Sequence, residues 1–582
     1  MSDTETPRGP RTSGEQTGVS GKPHRVSLPP DSAGREKGRC SSDSWGHREP
    51  TETETENADS PFSAVEIAFV NSKVGRGVLA RRAFKKGEVI YNDAEPLVAA
   101  QHIYSERCSW TCGRCFTFVG NLRQQLELIL SNDASDAAKR DRRIQENLEL
   151  LTDDFLQEDF CLAQPVPCAR NCGVVYCSEE HKKLAQTKGH HRLLCIEATD
   201  RMQRAWRVFA AHSRRFYETF LLAGRAYAQM LVDVLYGQAS VEDVMTPFCR
   251  FYSRRWEDIG DAEEALSAPR GAAERWRRSR GRLEILKESF SLLCRVFLAE
   301  DVLGETPWAT ENGDEPDTAH LRDKWKVLFS LDFYSHLLGT FDLVNVDIEF
   351  DNPLNARLAS SRLSSLWRCK PLFRLGKRIA ACEDAEDDED QEIQGGRSPT
   401  DGSEAAGAEE EEWKALVGDL LPPFMGIGLF RAVSMTNHSC WPNAEVDYPS
   451  LTKTAQVTAL RDIAQDEQVL LSYIDETLPL ASRQRLLKRH YKFTCACVRC
   501  QVEAAAALLD RRGALPAAEG AAVDAIADAT GLSPLLVGDI LSFSASFSKS
   551  SGEAHAPETV SEDPSLSCGD EASEGDSVPA SE

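Results

Sequence analysis

No stretch of this 582-residue chain approaches the roughly 20 consecutive apolar residues that span a bilayer, so a membrane-embedded protein is not expected. The N-terminus has no apolar core of the secretory kind, and its many acids argue against a mitochondrial transit peptide. An excess of basic charge is also missing. Against 67 Lys and Arg stand 92 Asp and Glu, giving a formal net charge of -25. General affinity for nucleic-acid phosphate is therefore not expected, and an acidic surface suits a basic protein partner better. No dense basic cluster marks a nuclear address, so nucleus and cytoplasm both remain open. The 18 cysteines do not form the evenly spread framework of a small secreted domain; they cluster as C-x2-C, C-x3-C and C-x-C-x2-C. In a large chain without a signal peptide, such clusters read as reduced, metal-bound cysteine.

Composition divides the chain. Residues 1–61 are rich in Ser, Thr, Gly, Pro and charge and are expected to be disordered, as is the acidic run at 383–412. Order is expected to begin near Pro61, with a strand over Ala64–Val70, a glycine turn at Lys73–Val78, and a second strand over Leu79–Phe84. Residues 200–300 carry long helical periodicity. The basic segment Arg275–Arg280 reads as a solvated helix start. Beyond 503 the chain is Ala-rich and then Ser- and Glu-rich, which reads as a tail with one possible helix near Ala521–Phe543.

Two regions carry chemistry. Between 108 and 195, Cys112 and Cys115, Cys168 and Cys172, Cys177 and His181, and His191 and Cys195 supply eight ligands of the types zinc prefers. Their alternating order predicts a cross-brace, with Cys112, Cys115, Cys177 and His181 on one ion. Cys168, Cys172, His191 and Cys195 would hold the second. Cys108, Cys161 and His190 stand close enough in sequence to replace a neighbour. Further along, the polar turn Asn437-His438-Ser439-Cys440-Trp441-Pro442-Asn443 precedes Tyr473 and the cluster Cys495, Cys497, Cys500. Cys440 is the natural fourth ligand of a third zinc, which would tie the turn to the segment beyond the tyrosine. About three zinc ions per chain are expected on this sorting.

Together these parts resemble the SET-and-MYND family of protein lysine methyltransferases. The matching pieces are KVGRGV, a MYND-like zinc module soon after it, GIGLF, NHSCWPNAE, LLSYID and F-x-C-x-C-x2-C, in that order. They cover most of residues 63–502, and within the family look most like its divergent fifth member. The chain departs from the pattern at His181, usually Cys, at Arg76, often Asn, at the wider Cys168/Cys172 pair, and in the enlarged insert 116–167.

The resemblance implies an α+β fold: a β-rich SET core with an inserted two-zinc MYND-like module, a helical insert and a zinc-binding post-SET segment. On that basis the N-terminal part of the SET domain lies at 62–107, the zinc module at 108–195 and the helical insert at 196–340. The SET core occupies 341–479, interrupted by the acidic loop, the post-SET segment 480–502, and a mostly disordered tail 503–582. It also implies S-adenosylmethionine as methyl donor, contacted by Val74, Gly75 and Arg76, by the backbone of Asn437 and His438, by Asn345, and by Phe493 against the adenine. Tyr473 is then the catalytic residue, its hydroxyl orienting the amine and the methyl group. The implied substrate is a lysine of a basic protein, a histone or a ribosomal protein, and the enzyme is expected to act as a monomer. The alternative is a catalytically silent scaffold whose zinc module recruits partners.

Overall fold

The structure, a computed structural model, describes residues 62–132, 161–259, 281–303, 321–358 and 421–550. The expected disorder of 1–61, the basic segment 275–280, the acidic loop 383–412, the middle of the 116–167 insert and the tail beyond 550 lie outside the described residues.

The fold mixes helices with several small sheets, as the α+β expectation required. Strands β1 (Val65–Asn71) and β2 (Gly75–Ala80) form an antiparallel hairpin, running from Val65 opposite Ala80 to Asn71 opposite Gly75. The turn closes on Asn71, whose Oδ1 accepts the N–H groups of Lys73 and Val74. Because one side chain satisfies the turn, the second strand starts at Gly75, earlier than the Leu79–Phe84 strand read from sequence. Arg81 to Ala83 leave the sheet, and Phe84 makes only an isolated bridge to Ile463.

β2 is central to a four-stranded sheet ordered β1-β2-β12-β9, where β9 is Asn437–His438 and β12 is Gln468–Leu471. A second sheet joins β3 (Val89–Asp93) to β11 (Ala455–Ala459) and β10 (Ala444–Asp447). Apart from the two-stranded pair β5 (Val166–Pro167) and β6 (Val175–Tyr176), a third sheet sets β8 (Phe424–Leu429) between β4 (Val98–Gln101) and β7 (Val346–Phe350). These sheets share one apolar core that includes Val78, Phe84, Tyr91, Phe350, Phe424, Phe430, Val457 and Val469.

A second core is helical. Helices Asp200–Phe216, Thr219–Leu235, Arg282–Phe297 and Leu331–Val344 bury Phe209, Phe220, Tyr227, Trp256, Phe297 and Tyr334 among themselves. Their starts follow capping chemistry: Thr199 Oγ accepts Met202 N–H, and Ser330 Oγ accepts Phe333 N–H. The stretch Asp323–Val344 is 22 residues long and, by length and composition alone, apolar enough to cross a bilayer. That corrects the expectation that no run suffices; here Trp325, Phe329, Tyr334, Leu337 and Phe341 of that stretch are buried in the helical core.

The expected tail is helical as far as Ser550, in three segments: Val498–Arg511, Glu519–Thr530 and Pro534–Ser550. Val502, Ile526, Val537 and Ile540 pack together there, with Trp441 of the polar turn against them. The Ala-rich composition hid this cluster because its few branched residues are spread over three helices.

Candidate active site and metal centres

The polar turn is held by strand pairing on both sides. β9 pairs in parallel with β12, placing Asn437 opposite Leu470 and His438 opposite Leu471. Ser439 N–H then donates to Leu471 O at 2.8 Å. Asn443 re-enters the same strand: its Oδ1 accepts Leu470 N–H at 2.7 Å, and its Nδ2 donates to Gln468 O at 2.9 Å. Fully buried Asn443 thus pairs backbone groups that the turn leaves open, which explains why an Asn stands there. Asn437 Nδ2 reaches across to β2 and donates to Arg76 O at 2.9 Å. The approach is close: a Cβ on Gly77 would lie 2.7 Å from Asn437 Nδ2 and 2.7 Å from Gln468 Nε2. Gly77 is a close-packing position beside the polar turn that the sequence reading passed over, although the second glycine of KVGRGV was its visible signal.

Tyr473 follows β12 and is pinned at both ends. Its N–H donates to His438 Nδ1 at 3.1 Å, and its hydroxyl donates to Thr436 O at 2.5 Å. Burial, and next the nearby Tyr491, raise its pKa above the ordinary tyrosine value, so the hydroxyl stays protonated at neutral pH. Because His438 Nδ1 accepts, the neutral ring carries its proton on Nε2, which faces Cys440 Sγ at 3.3 Å. One imidazole therefore joins the tyrosine backbone to the third thiol cluster. Rings surround the pair: His438 lies 5.2 Å from Tyr473 and 6.0 Å from Phe493, and Tyr473 lies 5.0 Å from Tyr491. Tyr491, whose hydroxyl donates to Tyr473 O at 3.2 Å, was not singled out from sequence. It ends a short π-helical turn, Leu487–Tyr491, and Lys492 reverses the chain at φ +62° to deliver Phe493.

Three thiol groups gather as the cysteine spacings suggest. Cys440, Cys495, Cys497 and Cys500 form one, Cys112, Cys115, Cys177 and His181 a second, and Cys168, Cys172, His191 and Cys195 a third; within each, the ligand atoms lie within 4.8 Å of one another. Sulfur separations are 3.6 Å for Cys440–Cys500, 4.0 Å for Cys440–Cys495, 3.8 Å for Cys115–Cys177 and 3.6 Å for Cys168–Cys195. A disulfide would need about 2.05 Å. A tetrahedral zinc with bonds of about 2.3 Å puts its sulfurs about 3.8 Å apart, so the donor sets and spacing fit zinc. Local structure aims the ligands. Ser178 Oγ caps helix Glu179–Thr187 at His181 N–H, and His191 and Cys195 sit one turn apart at the π-helical segment Arg192–Ile196. Cys108 Sγ donates to Tyr104 O, Cys161 Sγ lies by Leu162 O and Gln164, and His190 joins no group.

Around the cysteine cluster at 440–500, two buried arginines converge on Glu503. Arg483 Nη2 lies 2.5 Å and Arg499 Nε 2.7 Å from its carboxylate. Arg499 Nη1 also donates to Cys440 O at 3.0 Å, and Arg499 Nε reaches Ser544 Oγ in the last helix at 3.1 Å. The C-terminal helices are thereby fastened to the cluster and, through Cys440, to the polar turn.

Of the remaining predicted residues, Val74 is 46% exposed, Gly75 has φ +71° with open space where a Cβ would stand, and Arg76 is the second residue of β2. Burial and then Arg250 lower the Arg76 pKa. Asn345 caps helix Leu331–Val344, which packs against Leu487–Tyr491. Its Oδ1 is buried with no hydrogen-bond partner among the described residues.

The SET domain family model matches residues 299–474. The chain is similar to the human protein-lysine N-trimethyltransferase SMYD5, 25% identical over 76% of this chain and 87% of that one. It is similar to the Arabidopsis thaliana histone-lysine N-methyltransferase ATXR2, 25% identical over 74% of this chain and 89% of that one. A short stretch, 13% of this chain and 15% of the relative, is 43% identical to the Arabidopsis thaliana histone-lysine N-methyltransferase ASHR1.

Proposed function

We propose that the chain is a protein-lysine N-methyltransferase of the SET-and-MYND type that methylates a lysine of a basic protein, histone or ribosomal, using S-adenosylmethionine. The placement of Tyr473 carries the reading, with its hydroxyl on Thr436 O and its amide on His438.

Bound S-adenosylmethionine supplies a methyl group already activated by a sulfonium. The residues present fit such a ligand, which is rich in N–H and O–H donors: the unpartnered Asn345 Oδ1 is an acceptor awaiting one. The backbone of Asn437 and His438 would hold the adenine, with Phe493 as its wall. Val74, Gly75 and Arg76 would hold the amino-acid end, where Gly75 leaves the approach open.

The rest of the task is positioning and electrostatics. Tyr473 gives its only proton to Thr436 O, so its oxygen is left as an acceptor for the N–H of the target amine. The target amine must lose its proton to solvent before it attacks, and desolvation beside the rings of His438, Tyr491 and Phe493 would favour that neutral form. Zinc in the three clusters would be structural, since each has four protein ligands and no open position. In this reading residues 108–195 are a MYND-like module and 480–502 a post-SET clamp, and the enzyme works as a monomer in the nucleus, the cytoplasm or both.

The test is direct. Purified full chain, labelled S-adenosylmethionine and a mixed basic-protein extract should yield a labelled band, and Tyr473→Phe should weaken or erase it. Absence of donor binding in calorimetry would overturn the reading and leave the silent scaffold in its place.

A further inference from the structure

Thr436 supplies the carbonyl that fixes the Tyr473 hydroxyl, and it is itself held by a buried polar chain no motif announces. Its side chain is fully buried and, as a single hydroxyl, has one proton to give. That proton goes to Ala432 O at 3.1 Å. The contact of 3.0 Å with Tyr91 OH must therefore run from Tyr91 to Thr436 Oγ1. Tyr91 sits on β3, 3% exposed, opposite Val457 of β11. Two residues on, Asp93 Oδ2 accepts Ala432 N–H at 2.7 Å and Val433 N–H at 3.3 Å. The short 3-10 turn Val433–Met435 that presents Thr436 is thus bound at its start by a carboxylate and at its end by a phenol.

We propose that Tyr91 and Thr436 are positioning residues for methyl transfer: through paired hydroxyls they hold the Thr436 carbonyl against Tyr473 OH, fixing the direction of the oxygen that meets the target amine. The proposal rests on the reading of Tyr473 as the amine-orienting residue. Both side chains lie in the protein interior behind Tyr473, so their loss should reach kcat and spare binding.

The test compares Thr436→Val, Thr436→Ser and Tyr91→Phe in the full chain, with zinc content and melting temperature checked for each. Thr436→Val should lower kcat about ten-fold, with KM for the protein substrate and affinity for S-adenosylmethionine within about two-fold of wild type. Thr436→Ser, which restores the hydroxyl, should recover kcat to within about two-fold, and Tyr91→Phe should reproduce part of the loss. If Thr436→Val fails to fold, Tyr91→Phe alone decides. Wild-type kcat in the folded variants, or a loss of kcat and affinity together that Thr436→Ser does not repair, overturns the positioning role. Failure of the wild-type chain to transfer methyl overturns the functional reading itself, and the proposal with it.

Discussion

Gly77→Ala puts one methyl group where β2, β9 and β12 meet. The new Cβ would lie 2.7 Å from Asn437 Nδ2, 2.7 Å from Gln468 Nε2 and 3.0 Å from Val70 Cγ2. The first two gaps fall about 0.7 Å short of ordinary van der Waals contact. Asn437 cannot swing aside freely, because its Nδ2 donates to Arg76 O and its backbone is paired with Leu470. Moving it gives up a hydrogen bond of about 1 kcal/mol and adds overpacking of about 1–3 kcal/mol. If about 1.4 kcal/mol of that falls on the turn, affinity for S-adenosylmethionine drops about ten-fold. Titration calorimetry reads the affinity, and a thermal scan reads the remaining loss of stability. Gly87→Ala, in the turn before β3 at φ +81°, is the control. Its Cβ meets nothing within 4 Å, so only the left-handed backbone penalty of about 1–2 kcal/mol applies. Gly77→Ala with wild-type affinity and wild-type melting would refute the claim that this close approach shapes the donor site.

Three further outcomes follow from the geometry. Cys500→Ser should lower bound zinc, counted by elemental analysis, from about three per chain to about two, and should weaken donor binding by loosening Cys440 and Phe493. Glu503→Gln leaves two buried guanidiniums without their shared carboxylate, so unfolding stability should fall by about 3 kcal/mol in denaturant titration while zinc content holds. Burial raises the Asp93 pKa above its ordinary 3.8, against the Ala432 and Val433 N–H groups that oppose the rise. An acid raised on folding favours the folded state at low pH, and that contribution is lost as pH climbs from the unfolded value through the folded one. Asp93→Asn, which keeps an acceptor for Ala432 N–H, should flatten the decline; an unchanged slope of stability against pH would show that Asp93 does not contribute it.

What the sequence disclosed was what local spacing controls. Cys112 and Cys115, Cys177 and His181, and Cys495, Cys497 and Cys500 are ligand pairs or triples a few residues apart, so each is visible in the chain itself. The NHSC turn and Tyr473 were legible for the same reason, each sitting in a dense local pattern. Tyr91, Asp93 and Thr436 carry no such pattern: the partners that give them their roles lie more than 300 positions away in the chain. Gly77 looked like one more turn glycine because its constraint comes from Asn437 and Gln468, far along the chain. Composition misled at the C-terminus, where polar and Ala-rich sequence still forms helices once Val502, Ile526 and Ile540 find Trp441 and Arg499 finds Glu503 and Ser544.

The most direct test is a methyl-lysine mass map of a basic-protein extract incubated with S-adenosylmethionine and either the wild-type chain or Tyr473→Phe. The geometry of Tyr473, His438 and Thr436 predicts lysine peptides that gain methyl groups with the wild type and far less with the variant. Equal methylation by both, or none by either, would contradict it.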